Sequence, residues 1–144
     1  MTEHIAGRAN NFDKLDVIEE HMHNPQSVYP TGAGGVAVLG GVGAWNLGNF
    51  VEIVPINTIT SDFDIHWLNI EAISAADTYE MVLYAVTTEI GRFRFTVDGV
   101  PANLILPTVR IQTPIILKNT QVQAKVMTSG GGDTATISIE YHTY

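Results

Sequence analysis

The sequence has no cysteine. Disulfides, thiolate zinc sites and cysteine nucleophiles are thereby excluded. It is also poor in charge. Asp, Glu, Lys and Arg make up 15% of its 144 residues, where about a quarter is usual. A surface so short of charge is expected where other subunits cover part of it. Positive charge is scarcest, with seven Lys and Arg against fifteen Asp and Glu and a net charge of −8. That balance disfavours nucleic acid, which asks for a basic footprint, and it disfavours an anionic membrane surface. No run reaches the roughly 18 apolar residues of a membrane-spanning helix. The opening residues, MTEHIAGRANNFDKL, lack the apolar segment of a secretory signal. Cytoplasmic synthesis is the expectation.

What is present points to β-structure. Apolar residues make up 45%, enough for one domain with a real core. The stretch from Tyr79 to Val97 reads as two strands joined by a short turn near Thr87 and Thr88. In the second, Phe93, Phe95 and Val97 alternate with Arg92, Arg94 and Thr96, the pattern of a strand with one buried and one wet face. The first is apolar on both faces, with Met81, Leu83 and Ala85 against Val82, Tyr84 and Val86. That suits a central strand, or one whose outer face meets a partner. Further strands are expected over Leu47–Val54, Phe63–Ile73, Leu104–Leu106, Val109–Gln112, Ile115–Leu117, Gln121–Met127 and Ala135–Tyr144. In the last, Ile137, Ile139 and Tyr141 point inward, and Ser138, Glu140 and His142 outward. SGGGD, residues 129–133, reads as a flexible hairpin tip. About eight or nine strands at spacings of roughly 8 to 12 residues mark a sandwich or barrel. The expected fold class is therefore all-β, an antiparallel β-sandwich of jelly-roll type.

An N-terminal arm precedes it. Asn11 to His23 predicts a short helix, capped by Asn11, with Asp13 and Asp16 in the first turn. Leu15, Ile18 and Met22 form one apolar stripe, and Pro25 ends the helix. Residues 24–35, rich in Pro and Gly, read as a linker. The division is thus 1–35 for the arm and 36–144 for the β-domain. Glycines 40, 41 and 43 lack the lysine and following helix of a phosphate loop. They fit close backbone packing instead.

Candidate chemistry is thin. His21 and His23 are two apart, so on a helix they diverge by roughly 200° and do not share one ion. Asp62, Asp64 and His66 alternate along one strand. Two such carboxylates can hold calcium or act as glycosidase acid and nucleophile. Their plainer reading is as solvated strand-entry residues. Neither a GxSxG elbow nor a His/Asp pairing stands out, so no enzyme, no cofactor and no metal is expected. Trp45, Trp67, Tyr29, Tyr84, Tyr141 and Tyr144 offer a sugar-stacking platform as the main alternative to core or interface roles.

Four segments carry a family resemblance: FVEIVPINTITSDFDIHWLNIEAIS, EIGRFRFTVD, IQTPIILKNTQVQAKV and SGGGDTATISIEYHTY. In order and spacing, residues 50–144 resemble small virion structural proteins of tailed bacteriophages. The resemblance implies a capsid decoration (cement) protein, or a related tail, neck or baseplate accessory protein. Its partners would be itself, as a homotrimer, and the major capsid protein or another virion protein. The expected location is the virion. Leu15, Ile18, Met22, Val28 and Tyr29 are the candidate capsid-anchoring residues. Trp45, Trp67, Met81, Val82, Tyr84, Arg92 and Arg94 are the candidate subunit-interface residues. A carbohydrate-binding or adhesin module remains the rival reading.

Overall fold

A computed structural model describes residues 25–32, 34–99 and 106–144. The predicted helix over residues 11–23, with Leu15, Ile18 and Met22, lies outside them, as do Leu104 and Ile105. Nine strands are present in the described residues: β1 Ser27–Tyr29, β2 Val36–Leu39, β3 Val51–Val54, β4 Phe63–Ile73, β5 Asp77–Ala85, β6 Thr88–Val97, β7 Thr108–Arg110, β8 Val122–Thr128 and β9 Thr134–Thr143. They form two antiparallel sheets. Sheet I runs β1-β9-β4-β7, with β2 also paired to β9, and sheet II runs β3-β8-β5-β6. From β2 onward the chain alternates between the sheets except at the β5–β6 hairpin. An order of 2-9-4-7 facing 3-8-5-6 is the connectivity of a jelly roll.

The period-2 pattern explains the packing. Val122, Ala124 and Val126 on β8, and Ile137 and Ile139 on β9, point into the space between the sheets and are fully buried. They meet Phe63, Ile65 and Leu68 from β4 and Tyr79, Met81 and Leu83 from β5 in one cluster. Tyr79 stacks on Phe95 at 5.0 Å between ring centroids. Its hydroxyl donates to the Ala75 carbonyl at 2.6 Å, so a fully buried phenol keeps a polar partner. Burial pushes the Tyr79 hydroxyl above its ordinary pKa.

Several sequence expectations change here. Ser27–Tyr29, inside the stretch read as linker, pairs with β9. Three residues are too few to display an alternation. Of the expected Leu47–Val54 strand only Val51–Val54 is regular, although Gly48 and Trp45 still donate to Val126 and Thr128 carbonyls of β8. Ile115–Leu117 contributes one bridge, Ile116 to Phe63. The β5–β6 turn falls at Val86–Thr87.

The largest change is at SGGGD. It joins β8 of sheet II to β9 of sheet I, so it is a crossover between sheets and not a hairpin tip. It is tied down throughout. Gly132 donates to the Gly41 carbonyl, Gly40 to the Asp133 carbonyl and Ser129 to the Thr78 carbonyl. The Asp77 carboxylate accepts from the Ser129 hydroxyl and, at 2.8 Å, from the Gly130 amide. Gly131 has φ +83°, and a Cβ there would stand 2.5 Å from Gly43 backbone atoms. Two glycine-rich corners, 40–48 and 129–133, therefore lie backbone against backbone.

The Ser129 hydrogen bond is the first of several that hold the Asp77 carboxyl down at about 2. Desolvation and the adjacent Asp77 push Asp133 up. A folded-state value below 3.8 means that Asp77 contributes stability above that pH and loses the contribution as pH falls through about 2. Asp133 has the opposite sign: its contribution is present at low pH and fades as pH rises through its elevated value. Asp77→Asn is expected to flatten the acid limb of the stability profile between about pH 4 and 2, read from urea midpoints. An unchanged acid limb would contradict the assignment. Gly131→Ala is expected to cost more than about 2 kcal/mol, because strain and a backbone collision coincide. Gly132→Ala, at φ +76° with nothing within 4 Å, is expected to cost about 1 kcal/mol. Equal losses would show that the Gly43 contact carries no weight.

Candidate functional site

The outer face of sheet II gathers the chemistry that the sequence offers. Side chains pointing away from the core come from three strands and from the 40–50 corner. β5 supplies Glu80, Val82 and Tyr84, β6 supplies Glu89, Arg92 and Arg94, and β8 supplies Gln123 and Lys125. The register sets Arg92 and Lys125 on either side of Val82, and Arg94 opposite Glu80. A bulge between Leu83 and Tyr84 passes over Ile90. It keeps Glu89 on the same face as Arg92.

Glu80 organises the charges. Arg92 Nη1 reaches its Oε2, and Arg94 Nη2 its Oε1, each at 3.0 Å. The Glu80 side chain is 12% exposed, so this is a sheltered carboxylate between two guanidinium groups. Arg92 also bonds Glu89 through Nε at 3.0 Å. That hydrogen bond lowers the Glu89 carboxyl and raises the Arg92 guanidinium.

The corner supplies two rings. The Arg94 guanidinium lies 4.7 Å from the Trp45 ring centroid, and Lys125 Nζ lies 4.0 Å from that of Phe50. Tyr84 meets Phe50 edge to face at 4.9 Å. Each cation on this face is thus held by a carboxylate, a ring or both. Val82 is fully buried although it points away from the core. The register sets Arg92 and Lys125 directly beside it, and long cationic side chains lay their stems along such apolar surface.

Five of the seven interface candidates meet here: Trp45, Val82, Tyr84, Arg92 and Arg94. Two do not. Met81 points into the core and is fully buried, as the alternation along β5 requires. Trp67 stands on the outer face of sheet I, 5.9 Å from the Arg110 guanidinium. Phe50, Glu80 and Lys125 are members of the face that sequence reasoning missed. The Val122–Ala124–Val126 alternation already placed Lys125 outward, and its pairing with Phe50 is the non-local part.

Of the anchoring candidates among the described residues, Val28 is exposed and Tyr29 packs against the core. The six aromatics proposed as one platform are divided. Trp45 and Tyr84 lie on sheet II, Trp67 and Tyr144 on sheet I, and Tyr29 and Tyr141 against the core.

The outer face of sheet I is a polar strip. Asn69 Nδ2 donates to Ser138 Oγ and Glu140 Oε1, each at 3.3 Å, and its Oδ1 accepts from Thr108. At its far end Asp64 and His66 share the face, with His66 Nε2 3.0 Å from Asp64 Oδ1. The Tyr144 hydroxyl donates to Asp64 Oδ2 at 2.8 Å. Burial, then that carboxylate, raise the Tyr144 phenol. Asp62 is elsewhere, accepting the Lys118 amide. His142, expected on a wet face, is 6% exposed, stacked on His66 and met edge-on by Tyr144. Among the described residues no cluster of three or more His, Cys, Asp or Glu side chains has metal-binding geometry.

A third region is one end of the sandwich. Ile56, Val86, Ile115 and Leu117 are 50–68% exposed there. Backbone bonds tie their loops together: Asn57 to Asn119, Asn119 to Ile59 and Val86 to Gln121. At the opposite end a groove of about 550 Å³ between β2 and β3 is lined by Leu39, Val42, Leu47 and Val51 among others, and by no titratable side chain.

No family model matches the chain, and no curated protein does. Among solved structures it is similar to a CBM36-1 domain of a multidomain xylanase from the hindgut metagenome of Trinervitermes trinervoides. Identity is 12% and the TM-score 0.45, over 83% of this chain and 86% of that one. It is similar to infectious bursal disease virus, Gx strain, at 14% identity and TM-score 0.41, over 81% and 32%. The insecticidal delta-endotoxin Cry8Ea1 from Bacillus thuringiensis matches at 12% identity and TM-score 0.45, over 69% of this chain and only 18% of the toxin. These are distant likenesses of layout, spread over carbohydrate-binding, viral and toxin proteins, and no function is transferred from them.

Proposed function

We propose that this chain is a structural virion protein, a capsid decoration module of a tailed bacteriophage that coats the particle as an oligomer. The observation that carries the reading is the aliphatic end. Ile56, Val86, Ile115 and Leu117 stand half or more exposed on three adjoining loops. Val86 does so at φ +56°, where a β-branched residue is strained by about 1–3 kcal/mol. A two-residue hairpin turn normally places Gly, Asn or Asp at such a position. Keeping valine there maintains an exposed apolar tip against a conformational cost. A shell protein offering a shallow apolar seat is the partner such a tip fits. Repetition over a symmetric shell makes a small contact effective. The self-association that a trimer needs would use the outer face of sheet II.

Paired Ile56→Asp and Leu117→Asp substitutions touch exposed positions, so thermal stability should change by less than about 0.5 kcal/mol per site. Retention on capsids of the phage carrying the coding sequence, read by cosedimentation, is expected to fall by at least about tenfold. Undiminished retention would remove the aliphatic end from the reading. Light scattering is expected to give an oligomer, with three times 15.7 kDa the favoured mass. A clean monomer would count against the coat.

One observation favours a second reading, a carbohydrate-binding module. Half-buried Trp67 lies beside Asn69, Glu140 and Arg110, an indole among hydrogen-bonding groups on an open sheet face. Against it, the Arg110 guanidinium already sits over that ring. Under this reading the protein binds immobilised oligosaccharides, and Trp67→Ala lowers the affinity about tenfold or more. Absence of binding across a glycan array would leave the structural reading alone.

A further inference from the structure

We infer that residues 11–23 of one copy dock on the outer face of sheet II of a second copy, so that the arm fastens subunits together. This rests on the oligomeric reading above and names the contact that makes the oligomer. The face gathers Arg92, Arg94 and Lys125, three of the five Lys and Arg among the described residues, against the two carboxylates Glu80 and Glu89, on a chain of net charge −8. Lys125 has no carboxylate partner among the described residues and is held by the Phe50 ring. Arg94 has only the carboxylate that it shares with Arg92. Half-buried Tyr84 and exposed Phe50 and Trp45 lie between these cations.

The segment NFDKLDVIEEHMH is the chemical complement. Asp13, Asp16, Glu19 and Glu20 against Lys14 give it a net charge of −3. On a helix Leu15, Ile18 and Met22 form one stripe, with Glu19 at its border. An apolar stripe edged by acid fits rings edged by cations. A helix this short is marginal without a surface to lie on.

The docking is onto another copy because the chain's own sheet II lies out of reach. Gln26 Nε2 bonds His66 Nδ1 at 3.2 Å, on the outer face of sheet I. Met22 is four residues upstream of that tether and spans at most about 14 Å when extended. The two sheets are about 10 Å apart, and a side-chain layer covers each outer face. Met22 cannot pass around the sandwich and reach the middle of β5 with Ile18 and Leu15 beside it. A neighbour's face has no such restriction. Because every copy owns one arm and one face, donation from copy to copy is head-to-tail and closes into a ring when the rotation permits.

The cysteine-free sequence makes the test direct. Full-length chains carrying Ile18→Cys and differently tagged full-length chains carrying Gln123→Cys are mixed, oxidised and separated on non-reducing gels. Covalent heterodimers in the mixture are expected, and a closed ring of disulfide-linked copies when both substitutions share one chain. Arg94→Glu should lower the cross-linking yield about fivefold, and adding Glu19→Arg should restore it. Absence of the heterodimer would overturn the inference. A disulfide formed only within single chains would do the same, as would a yield indifferent to Arg94→Glu. Light scattering on the same unoxidised samples separates the two failures. An oligomer without the cross-link removes the arm contact and leaves the coat reading standing, whereas a monomer removes both.

Discussion

The sandwich depends on two glycine-rich corners occupying the same end. The chain passes from sheet to sheet along most of its length, and β8 must leave sheet II and return as β9, the strand that holds β1, β2 and β4 together. The turn that carries it, residues 129–133, lies against the 40–48 corner with Gly131 on the Gly43 backbone. No side chain fits between them. The Asp77 carboxylate then accepts from the Ser129 hydroxyl and the Gly130 amide of the turn and fixes its path. A glycine contact and one carboxylate therefore decide whether β9 enters sheet I, and with it whether Ile137 and Ile139 reach the core.

The same alternation fixes what is left outside. Strands of a sandwich have two faces, and here the outward ones differ in kind. On sheet I the outward groups satisfy one another as a polar strip around Asn69 and Ser138. On sheet II the outward groups combine two cations laid on rings with the Glu80 and Glu89 carboxylates that bind the arginines. A cation over an aromatic face occupies the surface that a sugar ring would stack on. Arg94 on Trp45 and Lys125 on Phe50 are thus consistent with the proposed docking of a peptide segment that brings carboxylates and aliphatic groups. Glu80, sheltered between two guanidiniums, sets Arg92 and Arg94 relative to one another, and in the proposed docking such preorganisation would lower the entropy lost on binding.

Much of this was legible in the sequence because strand periodicity is local. Val122, Ala124 and Val126 inward, Phe95 and Val97 inward, and Arg92 and Arg94 outward all follow from alternation and hold in the structure. The failures share one cause, which is contact between segments distant in sequence. His142 sits on the outward face that its position predicts, yet His66 stacks on it and Tyr144 meets it edge-on. Trp67 and Trp45 are alike in residue type, and sheet membership separates them. SGGGD has the composition of a hairpin tip, and composition does not reveal that the next strand belongs to the other sheet. Val82 reads as an open apolar strip until the neighbouring register supplies the stems that cover it.

The strained residues add an argument independent of composition. Among the described residues four other than glycine have positive φ: Trp45, Asn57, Val86 and Asn119. Two are asparagines, which tolerate that region through local hydrogen bonding. Trp45 and Val86 do not, and both are large, apolar and exposed. In each, the backbone conformation is unfavourable and a large part of the residue, 42% of Trp45 and 50% of Val86, stays exposed. Turn geometry alone would be served better by glycine or asparagine. Under the proposed assembly a contact outside the chain would account for both, and the two lie on different surfaces, Val86 at the aliphatic end and Trp45 on the outer face of sheet II. Two surfaces under separate constraint are what a subunit needs when it must hold a particle with one and its neighbours with the other.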